Sequence, residues 1–475
     1  MKKIVFFLFL ILLNITVHAQ IGIGTNNPNA STILDVYSTD KAILIPRLTT
    51  TQRNQVSTPV AGMVIFNTDS ACIEIYRGMN WFNLCAGSNS IFDGQVVPYM
   101  PAAVVKTSTK KTFTHLLPWF ETKATNNGSW GIHWTMANKN PDNILPNGNR
   151  DIAAHYYPLT GPYASGDTTL IDYQILLMKL SGIDGVFIDW PGIGNNNGQN
   201  ADIILNERNT KVIVSRLARA GLKFALVYED NFLSNVSDKI LQAKKDIRYA
   251  DTVYFNKSNY EYVYGKPLLM VFGPQQLQTA ANWTSVFTGL VHPPSFCTLW
   301  YESAEAGSNA MGEFSWIYTD YLTGLSNFYN NSYSGLKIAS VYPGFKTFYA
   351  NGGWGGPTWE IPHNGTTAFN ATLDLALATN NDYIQINTWN DYGEGTMIEP
   401  TDSVNNGFGF SFLKILQQKL GVAALNQSDL EAVLRWYNLC KSNIGNATNL
   451  KKLNQVFYYF VSLQTNKAKQ LLATF

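Results

Sequence analysis

Asp391 and Glu394 stand three positions apart in "TWNDYGEGTMIEP" (388–400), ringed by Trp389, Tyr392, Gly393 and Gly395. Two carboxyl groups at this spacing can do general acid–base work. Cleaving a glycosidic bond needs one carboxylic acid to protonate the leaving oxygen and a second carboxylate to act as base or nucleophile. Three residues of chain reach at most about 10 Å. That covers carboxyl separations of about 5–5.5 Å for retention and about 6.5–9.5 Å for inversion. The glycines allow a sharp turn that aims both side chains one way. The aromatics can lower local polarity and keep one acid protonated near neutral pH. An ordinary solvated loop can carry the same residue types.

The pattern recurs upstream. Apolar runs end in polar or aromatic groups at Trp119, Asp189-Trp190, Tyr228-Glu229, Trp300, Tyr342 and Trp389-Asn390. Asp189, Glu229 and Asn390 are candidate hydroxyl-binding groups. Trp119, Trp190, Tyr228, Trp300, Tyr342 and Trp389 are candidate sugar-stacking platforms, with core packing as the alternative for each. His155 and Tyr156 precede Pro158 in a turn-rich segment. Trp354, Trp359 and Glu360 lie in the glycine-rich "TFYANGGWGGPTWEIPHNGTTAF". Both segments are candidate substrate-contacting loops.

Groups scattered over 270 residues must be gathered by a fold. Buried-strand runs occur at 114–120, 185–190, 223–230, 267–273, 296–302, 313–319, 337–345 and 383–391. Helical periodicity lies between several of them, as in "TTLIDYQILLMKLSG" and "NTKVIVSRLARAG", each closed by a glycine. Strand–helix alternation of this kind predicts an α/β (β/α)8 TIM barrel, whose C-terminal strand ends share one face. An open doubly wound sheet is the competing architecture, but the first run is not followed by a glycine-rich phosphate loop.

The remaining chain divides around this barrel. "MKKIVFFLFLILLNITVHAQ" reads as a signal peptide over 1–19, so a secreted, periplasmic or cell-surface location is expected. Residues 20–90 alternate in short strand-like runs, 91–110 read as a linker, 111–420 as the barrel and 421–475 as C-terminal helices. Cys72 and Cys85 bracket a hairpin-like segment and suit a disulfide in an oxidising compartment. A formal charge of +1 and a charged fraction of 14% leave no field for nucleic acid. No later run is apolar enough to span a membrane. No His/Cys cluster, G-x-S-x-G elbow or Walker loop appears, so no metal or organic cofactor is implied.

Two resemblances sharpen these expectations. "WNDYGEGTMIEP" resembles the eighth-strand motif of glycoside hydrolase families 71 and 99, and "DGVFIDWPG" (184–192) is similar to their second-strand motif. "HYYPLTGPYAS" (155–165) and "SVYPGF" (340–345) also fit this group. The resemblance implies an endo-acting hydrolase of α-mannan or α-1,3-glucan type, with Glu394 as general acid and Asp391 as the second carboxylate. Family 99 has Glu at the latter position, where it is thought to deprotonate the sugar 2-hydroxyl. The shorter Asp391 leaves open activation of a water instead. Residues 20–90 resemble tail-fibre or adhesin head segments, which implies display or homo-oligomer formation. The alternative reading is a barrel that binds glycan without cutting it, as a carbohydrate-binding or adhesin protein.

Overall fold

A computed structural model describes residues 20–84 except 79, residue 92, and residues 94–475 except 195–200. The segment read as a signal peptide lies outside the described residues. The chain forms two compact units, Met1–Ser90 and Ile91–Phe475.

In the first unit β1 (Ile21–Ile23) pairs in parallel with β2 (Leu34–Val36). A separate sheet runs β3 (Arg47–Leu48), β4 (Val64–Asn67), β5 (Cys72–Tyr76), β6 (Trp81–Asn83). Its few buried polar groups are paired: Glu74 accepts from Arg53 Nη1 at 2.7 Å and from Asn67 Nδ2 at 2.9 Å. Of the strand-like runs in this region, "KAILIPRLT" (41–49) places only Arg47–Leu48 in a ladder. Ile33, Ile43 and Leu44 are 80%, 63% and 75% exposed, since no described residue covers them. Cys72 is disulfide-bonded. Its expected partner, Cys85, lies outside the described residues.

The second unit is a closed barrel. Its strands are β7 (Lys111–Leu116), β8 (Gly185–Trp190), β9 (Lys223–Tyr228), β11 (Lys266–Val271), β12 (Ser295–Leu299), β13 (Ala310–Phe314), β14 (Leu336–Val341) and β15 (Tyr383–Ile386), after a short β10 (Tyr262–Val263) that forms a hairpin with β11. All eight barrel strands pair in parallel, and β15 returns to β7 to close the ring. Each expected strand is present, though several end two to five residues early, because their last residues turn into the loops of the upper face. The interior is packed rather than hollow: Phe113 stacks on Phe187 at 4.6 Å. Gly185 is needed beside them, since a Cβ there would lie 2.4 Å from Phe113 Cε1.

Helix Thr168–Leu180 starts where Asp167 accepts from the Thr169 and Leu170 N–H groups. Gly182 (φ 84°) follows its end in the left-handed region, as Gly221 (φ 73°) follows helix Ala201–Ala220. The segment read as a linker is fastened down: Val97 N–H donates to Gln455, and Ala102 N–H to Val461 O at 2.9 Å. The C-terminal helices end in Ala447–Val461 and Thr465–Leu472, separated at Leu463 with φ 60°. No helix among the described residues is long and apolar enough to cross a membrane.

Candidate active site

The chain after β15 folds back on itself. Thr388 N–H donates to Thr396 O (2.8 Å) and Ile398 N–H returns to Thr388 O (3.0 Å). Asp391 and Glu394 lie inside this closed loop. Asp391 N–H donates to Thr388 Oγ1 (2.7 Å), and Glu394 N–H donates to Asp391 Oδ1 (3.0 Å). The segment after β14 grips the loop from outside, with Phe348 N–H on Gly393 O (2.7 Å) and Lys346 N–H on Glu394 O (2.9 Å). Gly395 takes φ 67°, and a Cβ there would meet Lys346 O at 2.7 Å. Gly393, by contrast, does not need the left-handed region.

Glu399 locks the loop from beneath. It is 2% exposed and accepts from Tyr163 OH (2.7 Å), Gln174 Nε2 (2.7 Å) and Tyr392 OH (2.8 Å). Tyr392 is thereby drawn into the core between the two acids. Burial raises the Glu399 carboxyl above its ordinary value, and these hydrogen bonds oppose that rise.

The electrostatics separate the two acids. Burial pushes Glu394 up to about 8, the Asp391 charge adds to this, and a hydrogen bond from Tyr349 OH (3.2 Å) opposes it. Burial also raises Asp391, to about 6, against the Glu394 N–H and the nearby His133. Burial thus favours a proton on Glu394 more strongly than on Asp391. Asp189 and Glu229 complete the cluster. Burial raises Asp189 to about 7 and Glu229 well above the usual carboxylate range, and the two side chains are hydrogen-bonded to each other. Asp189 feels the charge of Asp391, and Glu229 that of Glu394. The ends of β8, β9 and β15 thus bring these acids together. Among the described residues no group of three or more His, Cys, Asp or Glu is arranged to hold a metal ion.

Several expected contacts belong elsewhere. Side chains alternate along a strand. Asp189 and Glu229 face the site, so Trp190 and Tyr228 face the helices. Both are fully buried: Trp190 Nε1 donates to Glu207 (2.7 Å) and Tyr228 OH to Asp246 (2.8 Å). Tyr342 and Trp389 are likewise fully buried. Asn390 spends its amide on the Leu117 backbone, accepting at 2.9 Å and donating at 3.0 Å, which ties β15 to the end of β7. His155 and Tyr156 brace the loops: His155 Nε2 bonds Thr347 O (3.0 Å), and Tyr156 OH meets His363 Nδ1 (3.3 Å). His363 in turn reaches Gly395 O from Nε2 (2.8 Å), and burial holds it neutral by lowering it to about 4. Trp119, Trp300 and Trp359 are half-buried, Trp119 stacked flat on His133 and Trp359 flat on Phe345.

Sequence reasoning missed Tyr349, Glu399, the His133–Asp202 pair (3.0 Å) and His115, which lies 4.0 Å from Asp189. Burial lowers His115 to about 3, so it is neutral there. Glu399 carried a signal: an acid inside the apolar "TMIEP" needs buried partners. The others carried none, since their partners are remote in sequence.

Known proteins agree with this architecture. Residues 22–95 match the family model "Phage tail like trimerisation region". A glycoprotein endo-alpha-1,2-mannosidase from Xenopus laevis is 24% identical over 279 residues, covering 52% of this chain and 59% of that protein. The chain thus spans little more than half the length of that curated relative. The solved GH99 endo-alpha-mannosidase from Bacteroides thetaiotaomicron aligns with TM-score 0.51 and 18% identity, over 65% of this chain and 96% of that one. A solved "glycoside hydrolase-like protein" aligns with TM-score 0.50 and 14% identity, over 68% and 97%. By motif, barrel and curated relative together, the second unit resembles the glycoside hydrolases of families 71 and 99, and the first unit resembles a phage-tail trimerisation region.

Proposed function

We propose that this chain is a glycoside hydrolase that cuts α-mannosidic or related α-linkages within a glycan. The observation that carries the reading is a pair of buried carboxyl groups on one pinned loop, with the Glu394 N–H on Asp391 Oδ1 and Tyr349 OH on the Glu394 carboxyl. Burial raises both groups, Glu394 further than Asp391, which suits Glu394 to hold a proton and Asp391 to take one. Glu394 protonates the leaving glycosidic oxygen as the bond breaks. Asp391 takes a proton from the attacking group on the other flank of the sugar. If that group is water, the released anomer is inverted. If it is the sugar's own 2-hydroxyl, the configuration is retained. Asp189 and Glu229, with a proton between them, offer both donor and acceptor to substrate hydroxyls. Trp119, Trp300 and Trp359 offer flat apolar faces.

Incubation with yeast α-mannan and with α-1,3-glucan tests the reading. Released oligosaccharides are expected from one of them, and Glu394→Gln abolishes release. Proton NMR of the fresh product assigns inversion or retention. No release from either polymer, or full activity of Glu394→Gln, refutes the assignment.

The same reading includes export by the N-terminal segment and assembly through the first unit. The uncovered Ile33, Ile43 and Leu44, together with the matched trimerisation region, support a homotrimer. Sedimentation of the full chain gives three copies, and Leu44→Asp shifts it toward one. A monomeric wild type refutes this.

A further inference from the structure

Trp354 presents part of its indole to water. It is 43% exposed, yet its backbone is held fast. Trp354 N–H donates to Tyr349 O (2.8 Å), and Ala137 N–H donates to Gly352 O (2.9 Å). Asn138 Nδ2 donates to Asn351 O (2.8 Å). Gly352 is a close approach, since a Cβ there would lie 2.2 Å from Met136 Sδ, and Gly353 takes φ 84°. An indole left in water on pinned backbone is a preformed stacking face, with little ordering left to complete on binding.

Its neighbours give that face a direction. Trp354 meets His133 edge-on at 6.1 Å and leans on Tyr349 at 5.9 Å. His133 lies flat on Trp119 at 4.2 Å, with Asp202 fixing its Nε2 at 3.0 Å. Tyr349 OH reaches Glu394 at 3.2 Å. The aromatic wall therefore runs outward from the acid, and Trp354 is one ring beyond the group that touches it.

We propose that Trp354, backed by His133 and Tyr349, is a distal stacking subsite for a sugar residue outside the pair that flanks the cleaved bond. The proposal rests on the glycosidase reading above. A pyranose presents one apolar C–H face of about the size of the exposed indole, so the occupant is a hexose unit of the same glycan.

The test measures binding by calorimetry in the Glu394→Gln chain, which does not consume its ligand, while wild type is incubated with the same sugars. The probes are a mannotriose and a mannohexaose prepared from yeast mannan. Adding Trp354→Ala is expected to weaken the hexasaccharide about tenfold and the trisaccharide by less than about twofold. Trp354→Phe is expected to recover most of the loss. An equal loss at both lengths, or none, overturns the subsite while wild-type cleavage leaves the hydrolase reading standing. Absence of binding and cleavage with these sugars, together with no release from α-1,3-glucan, overturns both.

Discussion

Replacing Glu394 by Gln keeps the shape of a neutral carboxylic acid and removes its proton equilibrium. In the folded chain burial and the Asp391 charge raise this group from 4.5 to about 8. At pH 7 the unfolded chain has released the proton and the folded chain still holds it. The pH interval from 4.5 to 7, at about 1.4 kcal/mol for each step, caps the resulting destabilisation at about 3 kcal/mol. Partial contact with water reduces this to about 1–2 kcal/mol. The sign follows from the raised folded value. The contribution is fully favourable below 4.5 and is lost as pH rises toward about 8. Glu394→Gln should therefore unfold at higher urea than wild type at pH 7 and by a larger margin at pH 9, and the two curves should converge at pH 4. Hydrolysis should disappear in the same variant, the usual exchange between a strained active site and stability. Urea titrations followed by tryptophan fluorescence at the three pH values read the margin directly. A gap independent of pH, or a variant less stable at pH 9, refutes the claim that this carboxyl is held protonated by burial.

The catalytic pH profile follows from the same groups: kcat/KM should fall below about 6 as Asp391 gains a proton and above about 8 as Glu394 loses one. A flat profile from pH 5 to 9 contradicts the assigned roles. Glu399→Ala strands the Tyr163, Tyr392 and Gln174 donors, and should cost about 3–5 kcal/mol in urea unfolding together with most of kcat. Trp190→Phe loses the bond to Glu207 and should cost about 1–3 kcal/mol of stability while leaving KM within about twofold, because the ring faces the helices. A large rise in KM would place it in the cleft after all.

The helix limits near 168–180, the eight buried runs and the acid pair with its glycines were all legible from residue order, because they depend on local chemistry. Asp167 caps its own helix, Gly182 ends it, and apolar runs of strand length need burial whatever surrounds them. The motif at 388–400 likewise placed Asp391 and Glu394 within reach of each other. Which of two adjacent residues faces the site was not legible. Asp189 and Trp190, or Glu229 and Tyr228, exchange places if a strand turns by one residue, and only the closed barrel with its outer helices fixes that parity. Trp190 is core because Glu207 arrives from the helix Ala201–Ala220, and Asn390 is a clamp because Leu117 directly follows the neighbouring strand β7. The raised pKa values of the buried acids also belong to the tertiary structure. They come from removing water and bringing like charges together, and residue order alone specifies neither.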